Sequence, residues 1–90
     1  MLEREICIVN PLGLHARAAA KLVRLARTFS SKILIEHRDA NATANAKSML
    51  SILAIAAGMG TRLFLVVDGP DEEAAITAVG DLIATGFGEM

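Results

Sequence analysis

The stretch Lys32-Ile33-Leu34-Ile35-Glu36-His37-Arg38-Asp39-Ala40-Asn41-Ala42-Thr43-Ala44-Asn45 decides the fold class. Its first part, rich in Ile and Leu, reads as a strand. Arg38-Asp39 marks a turn. Ala40 to Asn45 alternate with period two, which suggests a second strand with small residues on its inner face. Working upstream, Leu2 to Val9 reads as a strand ending in an apolar run, and Asn10-Pro11-Leu12-Gly13 as a loop. Ala16 to Phe29 has helical periodicity, with Ala18, Leu22, Leu25, Ala26 and Phe29 on one apolar stripe. Arg17, Lys21, Arg24 and Arg27 form a basic stripe on another face. Downstream, Ser48 to Ala57 reads as a short helix stopped by Gly58, with Gly60 turning the chain. Arg62 to Val67 is an apolar strand expected in the middle of a sheet. Gly69-Pro70 opens a last helix, with Pro70 at its first position and Asp71, Glu72 and Glu73 complementing its positive end. Ile76, Val79, Leu82 and Ile83 supply its buried face, and Gly86 and Gly88 fray its end. The order β-α-β-β-α-β-α favours an α+β layer, an antiparallel sheet with helices on one side.

Ninety residues, without repeat or linker, make one domain spanning 1–90. The single Cys7 excludes an internal disulfide and every Cys-rich zinc site. The longest mostly apolar stretch, Met49 to Met59, falls well short of the ~20 residues of a membrane span. The start, Met1-Leu2-Glu3-Arg4-Glu5, lacks the pattern of a signal peptide, so a cytoplasmic location and no membrane insertion are expected. The net charge of −1 hides an asymmetry. All nine Lys and Arg lie at or before Arg62, against four acids there, whereas residues 63–90 hold six acids and no base. A basic body of this kind suits an acidic partner. Nucleic acid is disfavoured, because a chain with no Trp or Tyr and three Phe offers little for bases to stack on.

The chemistry concentrates at the first helix. His15 stands at the mouth of an Ala-rich helix, whose first turn carries unpaired N–H groups and the positive end of the macrodipole. The backbone of Ala16 and Arg17 is thus an anion site, and the Arg17 guanidinium suits phosphate oxygens. The same field disfavours an imidazolium, so a neutral histidine beside an anion cradle is expected there, as a phosphoryl acceptor needs. Gly13 lets the backbone come close. Taken alone, a histidine ahead of a helix is more often a cap or a surface residue. No Ser-His-Asp set, His pair or carboxylate dyad accompanies it, and no metal ligands stand at useful spacing, so neither metal nor cofactor is expected.

Asn10-Pro11-Leu12-Gly13-Leu14-His15-Ala16-Arg17-Ala18-Ala19-Ala20-Lys21 resembles the active-site segment of the HPr family, the phosphocarrier proteins of the phosphoenolpyruvate-dependent sugar phosphotransferase system. Asn45-Ala46-Lys47-Ser48-Met49-Leu50-Ser51 resembles that family's regulatory-serine segment, and the likeness runs over essentially the whole chain. The resemblance implies an open-faced β-sandwich, four antiparallel strands covered by three helices. It implies that His15 takes a phosphoryl group on Nδ1 from Enzyme I and passes it to enzyme IIA domains, with Arg17 steadying the phosphate. The protein is then a carrier, not an enzyme, acting as a monomer. Two positions depart from the common pattern: Ala18 stands where many members have Pro, and Leu12 where many have a polar residue. The nitrogen-type relative, NPr, and a non-phosphorylated regulatory module of the same fold are the competing readings.

The helix from Ser48 is apolar nearly all round, so part of it, Met49 and Leu50 with Ile52 or Leu53 behind, is expected at the surface as a partner contact. The resemblance implies a docking surface shared by this helix and the first, to which Leu14, Ala20, Arg24, Arg27, Lys47, Met49 and Leu50 are assigned. Ser48 is expected to cap its helix. Phosphorylated by an HPr kinase/phosphorylase, it would set negative charge on the docking face.

Overall fold

The computed structural model describes residues 1–89. Four strands, β1 (Leu2–Cys7), β2 (Lys32–His37), β3 (Ala42–Asn45) and β4 (Arg62–Asp68), form one sheet in the order β1-β4-β2-β3 with every pair antiparallel. Three helices, α1 (Ala16–Ala26), α2 (Met49–Ile55) and α3 (Glu72–Ala84), cover one face. This is the α+β layer expected from the order of elements, with the open face that the family resemblance implies. The sequence of β4 explains its inner place. Leu63, Leu65 and Val67 are fully buried under the helices, and Phe64 and Val66 on the other face are half-covered. Register pairs Ile35 with Leu65 and Ile33 with Val67, so the buried side chains of β2 and β4 stand side by side. Ala18, Leu22 and Ala26 of α1, Ile52 of α2, and Ala75, Val79 and Ile83 of α3 close the core from above. On the open face the Arg38 guanidinium stacks 3.8 Å from the Phe64 ring centre.

The elements are shorter than the periodicity suggests, for local reasons. β1 stops at Cys7. The Ile8 N–H goes to the Thr61 carbonyl and its own carbonyl accepts from Gly60, which closes a loop in place of the ladder. α1 ends at Ala26 because Thr28 and Phe29 bond back to the carbonyls of Leu25 and Ala26 in tighter turns, and the Thr28 hydroxyl adds a bond to Leu25. Arg38–Ala40 form a short 3-10 turn and Asn41 takes the left-handed conformation at φ 53°, so the strand begins at Ala42. α2 is terminated by Ala56 in the left-handed region, at φ 52°, and not by Gly58.

The start of α3 departs more. Pro70 lies two residues ahead of the first helical residue and Asp71 holds the N-cap position, yet its carboxylate does not cap. It reaches across to the turn just ahead of β2, where it accepts from the N–H groups of Ser30 and Ser31 at 2.9 and 3.0 Å and from both hydroxyls. Glu72 takes over the helix start by accepting from the Gly69 N–H at 3.1 Å. The Ser30 and Ser31 donors, the Ser31 hydroxyl first, hold the Asp71 carboxyl down at about 2, against an ordinary 3.8. A depressed carboxyl stabilises the fold fully above its ordinary value and loses that contribution as pH falls through the depressed one. Asp71→Asn is therefore expected to lower the melting temperature at neutral pH. Its deficit against the wild type should close as the pH is taken down toward about 2; thermal melts across that range check it, and a deficit independent of pH would contradict it.

Candidate functional site

The loop between β1 and α1 is built around Asn10, which is completely buried. Its amide donates to the Gly13 carbonyl at 2.9 Å, and the Gly13 N–H returns a bond to the Asn10 carbonyl. Gly13, at φ 65°, lies against the end of α2, where a Cβ would stand 2.5 Å from the Ala57 carbonyl oxygen. Glycine is required there by both conformation and space. The close approach expected of Gly13 is therefore to backbone of its own chain. The next N–H, that of Leu14, donates to the same Ala57 carbonyl at 2.9 Å. Leu14 itself is 5 % exposed. Its assignment to a docking surface is thus corrected: seating the loop on α2 turns this side chain into the core.

His15 follows in an extended conformation and is the N-cap of α1. Its Nδ1 accepts from the Arg17 N–H at 3.3 Å. The cap and the candidate nucleophile are the same atom. The cap is made by the Nδ1 lone pair, which must be unprotonated to accept. Ala16 and Arg17 are exposed in the first turn, and Ala18 is fully buried in the core. The other ring nitrogen, Nε2, faces the Glu89 carboxylate at 2.8 and 3.0 Å. Glu89 also accepts from the Asn10 amide at 3.0 Å and has Arg17 Nε 3.6 Å away. The histidine hydrogen bond, foremost, with that of Asn10 and the nearby charge of Arg17, holds this carboxyl below its ordinary range. Sequence periodicity does not mark this residue, because the paired glycines suggest a frayed end. Instead Gly86–Gly88 form a 3-10 turn that buries Phe87, 1 % exposed, at a positive φ of 58°. Lys21 Nζ donates to its carbonyl at 2.7 Å. An aromatic residue two positions before a carboxylate was the available signal: the ring anchors the turn and the acid is carried back over α1. Pro11, Leu12, Arg17, Lys21, Gly88 and Glu89 line an open cleft beside the histidine, so the apolar Leu12 contributes wall and no polar contact.

The remaining predicted positions divide. Ala20, Arg24, Arg27 and Met49, with Val23, line one shallow groove between α1 and α2, largely apolar with two guanidiniums at its edge. Leu50, 82 % exposed, and Leu53 project from α2, whereas Ile52 is buried and Met49 half-buried. The side pointing outward is therefore Leu50 with Leu53. Lys47 is less free than a docking residue. Its ammonium donates to the Phe29 carbonyl at 2.7 Å, and Arg27 Nε donates to the Lys47 carbonyl, which ties the end of α1 to the start of α2. The Ser48 hydroxyl accepts from the Ser51 N–H at 3.3 Å, the expected cap. No helix of the described residues is long and apolar enough to cross a membrane.

A family model described as PTS HPr component phosphorylation site matches residues 2–85, nearly the whole chain. The chain belongs to this family. It is 45% identical over 89 residues to a phosphocarrier protein HPr of Cupriavidus necator, covering 99% of this chain and 98% of that protein. It is 42% identical over 88 residues to a phosphocarrier protein NPr of Shewanella violacea, covering 98% and 94%. A crystal structure of HPr from Thermoanaerobacter tengcongensis superposes with a TM-score of 0.93 at 44% identity, covering 100% of this chain and 99% of that one.

The terminal turn depends on one ring. Phe87→Ala is expected to cost about 3–5 kcal/mol, the usual range for emptying a buried Phe site, read by urea unfolding. It should also abolish the NMR contacts between the Glu89 and His15 side chains. A loss below about 1 kcal/mol would mean that the ring is not part of the core.

Proposed function

We propose that this chain is a phosphoryl carrier of the phosphotransferase system with His15 as its acceptor. The observation that carries the reading is the Nδ1 lone pair of His15, which caps α1 from a partly exposed ring beside the exposed Arg17. In the forward step the Nδ1 lone pair attacks the phosphorus of a phosphohistidine on Enzyme I. The donor's P–N bond breaks, its electron pair returns to the donor nitrogen, and a P–N bond forms on His15. The Arg17 N–H that donated to Nδ1, and the Arg17 guanidinium, are then available to phosphoryl oxygens. Transfer to a histidine of an enzyme IIA domain reverses the step and regenerates the carrier, so the chain turns over no substrate of its own.

A carrier must expose its phosphoryl group to two proteins in turn. An open helix end meets this need, and a deep pocket would obstruct it. The groove of Ala20, Arg24, Arg27 and Met49, with the projecting Leu50, supports a docking role: an apolar centre with basic edges suits a partner surface that is apolar and acid-rimmed. The chain acts in the cytoplasm as a monomer that meets these partners by turns. The similarity to an NPr favours a second reading, in which the same chemistry serves a nitrogen-related regulatory branch. Ser48 at the start of α2, within reach of the groove, supports regulation by an HPr kinase/phosphorylase.

Incubation with phosphoenolpyruvate and Enzyme I is expected to add one acid-labile, base-stable phosphate, absent from His15→Ala. Labelling retained in that variant would overturn the reading, and no labelling of the wild type would favour a regulatory module without phosphoryl transfer. Subsequent presentation to sugar-type and nitrogen-type enzyme IIA domains distinguishes the two branches by which accepts the phosphate. Ser48→Asp keeps a capping side chain but adds charge to the groove. It is expected to weaken binding to Enzyme I by about tenfold, the equivalent of about 1.4 kcal/mol; equal affinities by calorimetric titration would contradict a switch at this position.

A further inference from the structure

We propose that Glu89 is a positioning residue for phosphoryl transfer: its carboxylate holds the Nε2–H of His15, keeps the lone pair on Nδ1, and balances the positive charge the ring gains when Nδ1 is phosphorylated. The proposal rests on the carrier reading of His15. Its basis is the pair of contacts on opposite sides of one ring. Nδ1 faces an N–H donor, that of Arg17 at 3.3 Å, and so must accept. Nε2 faces a carboxylate at 2.8 and 3.0 Å, and so must donate. Both contacts demand the same tautomer, in which the proton is on Nε2 and the nucleophilic pair is on Nδ1.

Glu89 is itself held in place. The buried Asn10 amide fixes one carboxylate oxygen at 3.0 Å, the buried Phe87 anchors the turn two residues earlier, and the Lys21 ammonium grips the Phe87 carbonyl. Only 12% of the Glu89 side chain is exposed, so its hydrogen bonds to the ring are shielded from water more than those of a surface pair.

The charge balance of the step shows what the carboxylate supplies. A neutral imidazole that gives its Nδ1 pair to phosphorus becomes a cationic ring with the proton still on Nε2. The carboxylate already bonded to that proton stabilises the cation without moving. The arriving phosphoryl group is itself anionic and repels Glu89, but it does so across the width of the ring. The favourable interaction acts through a charge-assisted hydrogen bond of 2.8 Å, and the Arg17 guanidinium 3.6 Å from Glu89 offsets part of the carboxylate's charge, so attraction prevails.

Nitrogen-15 NMR of the unphosphorylated chain tests the positioning directly, before any transfer. The wild type is expected to show a pyridine-like Nδ1 and an Nε2–H that exchanges slowly with water. In Glu89→Ala that proton should exchange fast and the two ring nitrogens should move toward the averaged shifts of mixed tautomers. Glu89→Gln, whose amide oxygen can accept the same bond without charge, should keep the wild-type pattern. In rapid-quench transfer from phosphorylated Enzyme I, both variants are expected to be slower, by roughly ten- to hundredfold, with Gln the milder. The proposal is overturned if Glu89→Ala keeps the wild-type nitrogen shifts, or if it accepts phosphate within twofold of the wild-type rate. Failure of the wild type to accept phosphate while its nitrogen spectrum is as expected would instead overturn the carrier reading, and with it the role in transfer, and leave only the tautomer set by Glu89.

Discussion

The contact between the loop after β1 and the end of α2 is the constraint on which the rest of the site depends. Here backbone meets backbone: Leu14 donates to the Ala57 carbonyl at 2.9 Å, and Gly13 lies too close to that carbonyl to carry a side chain. Ala56 sustains the contact from the other side, since its left-handed turn ends α2 and brings the Ala57 carbonyl to the loop. Once Gly13 and Leu14 are seated, His15 is the next residue and must start α1. The two helices joined in this way also form the groove of Ala20, Arg24, Arg27 and Met49. A single short contact thus sets both the position of the histidine and the relation of the helix that carries it to the helix beside it. Glycine gives the unfolded chain extra freedom that is lost on folding, and the fold bears this cost where no side chain fits between the loop and α2.

What could be read from sequence follows from whether the signal is periodic. Strands such as Arg62 to Asp68 and the helix of Ala18, Leu22 and Ala26 bury residues at a regular spacing, so their existence, order and inner faces were legible. Ends were not, because they are fixed by single hydrogen bonds. The Thr28 hydroxyl shortens α1, and Asp71 leaves its own helix to bind Ser30 and Ser31 forty residues away. His15 and Arg17 stood out because a motif of twelve residues surrounds them. Leu14 lies in that same motif, yet its inward direction depends on Ala57, more than forty residues on, which no local pattern encodes. Glu89 was only faintly legible, through the aromatic residue two positions before it, for a related reason. The family model matches only to residue 85, and the turn that carries the acid back is set by a buried ring at a backbone conformation bulky residues seldom adopt.

The uneven charge along the chain gains a structural meaning from these long-range pairings. Several acids of the last third are paired across the fold. Glu89 returns to His15 and Arg17, Asp81 meets Arg4 at 3.1 Å, and Glu72 meets the amino terminus at 3.2 Å. Folding therefore neutralises the basic segment at the histidine and along the first strand. Arg24 and Arg27 form no ion pair among the described residues, and both border the apolar groove. Two guanidiniums without an ion pair thus stand beside the apolar groove, while the acid nearest the histidine is bound within the chain. That division suits a carrier. The charges at the groove stay open to solvent, whereas the charge at Glu89 is held against the histidine ring within the chain.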